Sequence, residues 1–255
     1  MTGKFVRVSV RVPLEQAEEA WALALGLSPG GFEESEDVTT LTLSLYVNES
    51  AVLSIEEAFS DVEVTPVEPG WEDAWRAFHQ PARAGGLWIG PPWERPNPGE
   101  HAVVIDPGRA FGTGAHPTTR ACIELLARSE RSPLLDLGCG SGVLSIAAAR
   151  LGFGPIRAVD NDPVAVETTI ANATANDVVI DVALLDGELD ALPVMATTVA
   201  NVLLAPVERI LTRLTSGVVI TSGYLDTAHT RAPGWRSTDR VTLDGWAANR
   251  FERAP

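Results

Sequence analysis

The stretch Leu134-Leu135-Asp136-Leu137-Gly138-Cys139-Gly140-Ser141-Gly142, running on into Val143-Leu144-Ser145-Ile146-Ala147-Ala148-Ala149, decides the fold. Leu134 to Leu137 reads as a short apolar strand, Gly138 to Gly142 as a tight turn, and Val143 onward as an alanine-rich helix. Glycine at every second position removes the side chains that would keep a ligand away from the backbone. The helix behind the turn presents free N–H groups to whatever lies there. That makes a nucleotide-type site. It is not a dinucleotide fingerprint, G-x-G-x-x-G: Gly138 and Gly140 fit, but the third position is Val143 and the extra glycine, Gly142, comes one residue early.

Two acids narrow the ligand. Asp136, at the mouth of the turn, would repel a pyrophosphate and favour a ligand carrying an amine and a sulfonium. Asp160 ends the next apolar run, Ile156-Arg157-Ala158-Val159. It follows Gly138 by 22 residues, the spacing at which an acid grips a ribose diol. Turn and acids together resemble the S-adenosylmethionine-dependent methyltransferases of the Rossmann-like class. The plainer alternative is a tight turn in some other α/β protein.

Outward from this centre, strands alternate with helices. A helix opened by Asp162-Pro163 runs to about Asn176, followed by strands over Val178–Leu185 and Thr197–Val202, a helix through Arg213 and a strand over Gly217–Thr221. Two more strand-like runs lie between Arg236 and Phe251. This predicts an α/β domain over 101–255, a mostly parallel sheet with helices on both faces. Upstream, Ala102–Ile105 is a short strand, and a helix spans Arg120 to Ser129. Residues 67–100 are rich in Pro, Gly and Trp and predict a linker whose helix carries Trp71, Trp75 and Phe78 on one face. Residues 1–66 predict a small α+β domain. Lys4–Val12 and Thr40–Val47 alternate as half-buried strands, Leu14–Leu25 and Ser50–Phe59 read as helices, and Val62–Val67 as a third strand.

Between the upstream strand and helix lies Asp106-Pro107-Gly108-Arg109-Ala110-Phe111-Gly112-Thr113-Gly114-Ala115-His116-Pro117-Thr118-Thr119. This segment resembles the signature of the ribosomal protein L11 methyltransferase family. Asp136 to Gly142, Ala200-Asn201-Val202-Leu203, Ser222-Gly223-Tyr224-Leu225, the Trp-x-x-x-Trp linker and Trp246 agree with that family. The resemblance implies a class I methyltransferase sheet preceded by a ferredoxin-like α+β domain that recognises the protein substrate. It implies S-adenosylmethionine as cofactor, held at Thr119, Gly138, Asp160 and Asn201; the reading of the turn itself adds Asp136 and Gly140 as cofactor-binding residues, and the place of Asp186 and Gly187 after the third strand of the sheet puts them at the border of the adenine. Each has a plainer alternative: a helix cap for Thr119, a turn for Gly138, a solvated strand end for Asp160, a turn cap for Asn201. Asn201, His116 and Phe111 are the catalytic candidates. Phe111 would pack near the sulfonium, and His116 would take a proton from the substrate amine or else hold the loop's shape. The implied chemistry is direct displacement, in which the protein aligns a neutral amine with an already activated methyl group.

Two departures bear on substrate. Amide- and adenine-N-methyltransferases carry Asn-Pro-Pro-Tyr-like residues where this chain has Asn201-Val202-Leu203-Leu204, which disfavours those substrates and leaves amines. Residues Asp226 to Trp235, broken by Pro233-Gly234, replace a fuller helix in the family. The implied substrate is ribosomal protein L11, through lysine side chains and the N-terminal amine. The alternatives are another protein lysine (of the electron-transfer flavoprotein beta type), a small molecule, or a non-catalytic cofactor-binding module.

Composition bounds the rest. The 255 residues are 45% hydrophobic and 21% charged, enough for a sizeable core. A net charge of −15 disfavours direct contact with nucleic acid or an anionic membrane and suits a basic partner. Glu33, Glu34, Glu36 and Asp37 predict an acidic loop that steers such a partner or simply stays solvated. Cys122 and Cys139 make no disulfide framework, and the four histidines have no metal spacing, so no metal is expected. Without a signal-peptide core or a run of transmembrane length, the expectation is a cytoplasmic monomer.

Overall fold

The computed structural model describes residues 5–28, 32–67, 79–106, 112–215 and 217–254. The chain divides into two compact units, Met1–Phe78 and His79–Pro255. The first unit runs β1 (Phe5–Pro13), α1 (Ala17–Leu27), β2 (Phe32–Glu36), β3 (Thr40–Asn48), α2 (Val52–Ala58), β4 (Val62–Pro66). Its sheet has the antiparallel order β2-β3-β1-β4. The register pairs Val8 with Leu45 and Val10 with Leu43, so both alternating strands turn their apolar residues to one face. There Val6, Val8, Val10, Leu41, Leu43 and Leu45 close a core with Ala20, Ala24 and Ile55 from the helices. The acidic run expected as a loop is β2. Glutamate is rare in strands, which hid it, but on an edge strand charge discourages pairing with another chain.

The boundary between the units falls at Phe78/His79, within the stretch 67–100 expected as a linker. The expected helix with Trp71, Trp75 and Phe78 lies outside the described residues. Residues 79–100 belong to the second unit. β5 (Ala82–Ala84) and β6 (Leu87–Gly90) form a hairpin, and β7 (His101–Val104) adds parallel to β6. Ala84, Leu87 and Ile89 are buried with Ile123 and Leu126 in one core. The surrounding prolines and glycines gave this stretch the composition of a linker, while the Leu87-Trp88-Ile89 triplet is long enough to anchor a strand.

The rest of the second unit is the α/β domain expected. Helices α3 (Pro117–Arg128), α4 (Val143–Arg150), α5 (Pro163–Ala175) and α6 (Leu204–Arg213) alternate with β8 (Leu134–Leu137), β9 (Ile156–Asp160), β10 (Asp181–Leu184), β11 (Thr197–Asn201) and β12 (Val218–Leu225). A terminal hairpin follows, β13 (Trp235–Leu243) and β14 (Trp246–Arg253). The seven strands lie in the order β10-β9-β8-β11-β12-β14-β13, the first five parallel, β14 antiparallel to β12, and β13 antiparallel to β14. Leu134 and Val199 face a core with α3 and α4, while Leu135, Leu137 and Ala200 face one with α6. Strand β8 is therefore covered on both sides, which is why it reads as unbroken apolar residues apart from Asp136. Between Leu225 and Trp235 there is no helix; Ala228 and Ala232 pack directly on the α6 side.

Candidate functional site

Strands β8, β9 and β11 end side by side at the carboxyl edge of the sheet, where the strand order reverses about β8. Open parallel sheets bind ligands at such a switch point. The turn after β8 carries Gly138, Gly140 and Gly142 at φ +76°, +54° and +80°, a left-handed path that L side chains rarely follow. The N–H groups of Gly138 and Cys139 both donate to the Val159 carbonyl, at 2.9 and 3.1 Å, fastening the turn to β9. A Cβ on Gly142 would lie 2.9 Å from Thr169 of α5, so the third glycine serves close packing.

Asp160 is built into the turn. Its Oδ2 accepts from Gly140 N–H at 2.9 Å and its Oδ1 from Asp162 N–H at 3.0 Å. Each oxygen keeps a lone pair for a further donor. Asp136 is buried beneath the turn rather than placed at its mouth, on the α4 side of β8. Its Oδ2 accepts from Ser145 N–H at 3.0 Å and Ser145 Oγ–H at 2.6 Å, while its Oδ1 is buried with no hydrogen-bond partner among the described residues. Burial pushes this carboxyl up to about 6, against the two Ser145 bonds that favour the charged form, and the Asp160 charge raises it further.

The second half of the site is one hydrogen-bonded chain. Asn201, the last residue of β11, donates through Nδ2 to Thr118 Oγ1 at 3.2 Å and Thr119 Oγ1 at 3.3 Å. His116 caps α3, its Nδ1 accepting from Thr118 N–H at 3.3 Å and lying 2.7 Å from Thr118 Oγ1. An Nδ1 that accepts needs a neutral ring, and burial lowers His116 to about 4. The Trp246 ring meets the imidazole edge-on, with centroids 4.9 Å apart. Thr119 is thus a partner of Asn201, while the helix cap expected of it is supplied by His116. With both N–H bonds of Asn201 committed, its remaining polar group is the carbonyl, an acceptor.

Phe111 lies outside the described residues. Asp186 and Gly187 lie beyond β10, and the Asp186 carboxylate accepts from Glu188 and Leu189 N–H at 2.8 and 3.2 Å. A Cβ on Gly187 would lie 2.7 Å from Leu137 Cδ2, so this loop packs on the end of β8. Ser145 and three further contributors were missed in the sequence. Ser141 Oγ donates to the Gly112 carbonyl, tying the signature segment to the turn. Asn172 donates to the Ser141 carbonyl at 2.9 Å and accepts from Asp106 N–H at 3.2 Å, while Asn176 pairs with both backbone groups of Val104. The available signal was a pair of asparagines one turn apart, Asn172 inside α5 and Asn176 at its C-cap; inside a helix asparagine is a poor helix former.

Residues 16–253 match the family model described as ribosomal protein L11 methyltransferase (PrmA). A protein of that name from Dechloromonas aromatica is 51% identical over 115 residues, 44% of this chain and 39% of the relative. Another, from a Synechococcus species, is 38% identical over 211 residues, 73% of this chain and 70% of the relative. The crystal structure of a ribosomal protein L11 methylase from Lactobacillus delbrueckii subsp. bulgaricus aligns with TM-score 0.59 and 25% identity, covering 66% of this chain and 95% of that one. This chain spans about half the length of several curated relatives that it matches.

Proposed function

The chain belongs to the ribosomal protein L11 methyltransferase family, and from that premise we propose that it transfers methyl groups from S-adenosylmethionine to amines of ribosomal protein L11, lysine side chains and the N-terminal amine. The observation that carries this reading is the convergence of the glycine turn, Asp160 and Asn201 on one edge of the sheet. The residues present fit the cofactor: Asp136 Oδ1 is a buried acceptor lacking a donor among the described residues, and an ammonium group supplies donors and a compensating charge. The bound cofactor supplies an activated methyl group; the chain's own residues hold and align. Asp160 takes the ribose hydroxyls on its remaining lone pairs, and the backbone at Gly138 and Gly140 lets the ligand lie close.

The Asn201 carbonyl accepts an N–H of the incoming amine and points its lone pair along the transfer path. Its orientation is set by Thr118 and Thr119, and theirs in part by His116. His116 holds that chain in place instead of acting as base. At about 4 it is on the order of six units too weak to deprotonate an ordinary lysine, so the amine loses its proton to water as it enters. The first unit, whose order β1-α1-β2-β3-α2-β4 we read as ferredoxin-like, takes the protein substrate. We place the reaction in the cytoplasm, carried out by a monomer with no direct nucleic-acid contact. Among the described residues no helix is long and apolar enough to cross a membrane. The test is mass spectrometry of ribosomal proteins from cells with and without this gene. L11 should lose whole methyl groups when the gene is absent; an unchanged L11 mass would contradict the reading, and a change in another protein would redirect it.

A further inference from the structure

At the start of helix α4, Ser141 Oγ accepts from Val143 N–H at 3.3 Å. The N-cap of this helix is Gly142, which has no side chain to accept from the first-turn amides. Asp136 supplies a further acceptor from strand β8, and Ser145, the third residue of the helix and wholly buried, is the group it serves. Both donors of Ser145 converge on Oδ2. They fix the carboxylate's orientation and leave Oδ1 as an acceptor with no donor among the described residues. The groups that face this carboxylate are Ser145 from α4, Cys139 from the turn, Cys122 from α3 and Asp160 from the end of β9. Among the described residues none of these is a cation, and burial holds both thiols neutral. A buried carboxylate without a counter-charge survives only where donors stabilise it, and here Ser145 provides both of them.

We infer that Ser145 is a positioning residue for the methionine end of the cofactor: its hydroxyl keeps Asp136 ionised and turned so that Oδ1 receives the ammonium group, and cofactor binding weakens as Asp136 takes up a proton. The inference rests on the cofactor reading above. With the carboxyl pushed up to about 6, loss of the ionised form falls in an accessible range. Removing the Ser145 hydroxyl removes a charge-assisted bond, which raises the carboxyl further.

Two measurements on the full chain test it. Carbon NMR of the Asp136 carboxyl, assigned by its absence in Asp136→Asn, gives the titration midpoint without ligand. Calorimetry with S-adenosylhomocysteine, which keeps the ammonium group, gives affinity at pH 6 and pH 8. Ser145→Ala should raise the midpoint by about one pH unit, a tenfold change in acid constant. It should weaken binding about fivefold at pH 6 and hardly at all at pH 8, and Ser145→Thr should restore both. A purely structural role would weaken binding equally at both pH values. That outcome, or an unmoved midpoint, overturns the inference and leaves the cofactor reading standing. Failure of the parent chain to bind S-adenosylhomocysteine at pH 8 overturns the cofactor reading and the inference with it.

Discussion

Asp136 and the two buried imidazoles pull stability in opposite directions with pH. His79 and His116 are each lowered to about 4 by burial, so their contribution is present above the ordinary imidazole value and is lost as pH falls toward 4. The Asp136 carboxyl is raised, so its burial penalty is relieved at low pH and returns as pH rises through about 6. Two imidazoles outweigh one carboxyl, and these groups together favour the folded chain at pH 6.5 over pH 4.5. His116→Asn keeps a capping side chain while removing the titration. Urea unfolding at the two pH values should show the acid loss reduced by about 2 kcal/mol in this variant; an unchanged loss would mean that His116 is not held neutral. Asp160→Ala removes the acceptor proposed for the ribose. Calorimetry should find S-adenosylmethionine bound about 1.5–3 kcal/mol more weakly, and equal affinity would move the ribose elsewhere.

The described end of the signature segment, from Gly112 onward, and the glycine turn pack against each other. Gly114 sits at φ +90°, and a Cβ there would lie 2.2 Å from Ile89 Cγ2 on β6. Gly114→Ala therefore must displace either the loop or β6. It should cost about 1–3 kcal/mol of stability and weaken cofactor binding in the same sample; wild-type values for both would show the loop free to move away. On the other side, a Cβ on Gly223 would lie 2.1 Å from the Val202 carbonyl, so the bulge in β12 packs on the residue after Asn201. At this scale legibility followed pattern length. Strands β8, β9 and β11 are apolar runs bounded by turns and could be read directly, as could the turn, Asp160 and Asn201. Strand β10 was expected over Val178–Leu185 but spans Asp181–Leu184, since Asp177 turns left-handed and Val179 is exposed. The strands β2, β5 and β6 were hidden by glutamates or by flanking glycine and proline. The roles of Ser141, Ser145 and Asn172 depend on contacts between separate elements, which no local pattern encodes.

On the scale of the molecule, chemistry and charge are divided. The described site residues all lie in the second unit, while residues 5–67 carry twelve acids against two arginines. A strongly acidic unit suits a basic protein partner. A chain beginning at His79 should keep its affinity for S-adenosylmethionine and lose methylation of the intact protein substrate; full methylation by that chain would remove the first unit from recognition. The central claim concerns what the sheet edge does with an amine. Its most direct test is intact-mass spectrometry of purified ribosomal protein L11 incubated with S-adenosylmethionine and either the full chain or its Asn201→Ala variant. The account predicts stepwise addition of methyl groups by the parent and a rate about a hundredfold lower for the variant. L11 left unmodified by the parent, or modified equally fast by Asn201→Ala, would contradict it.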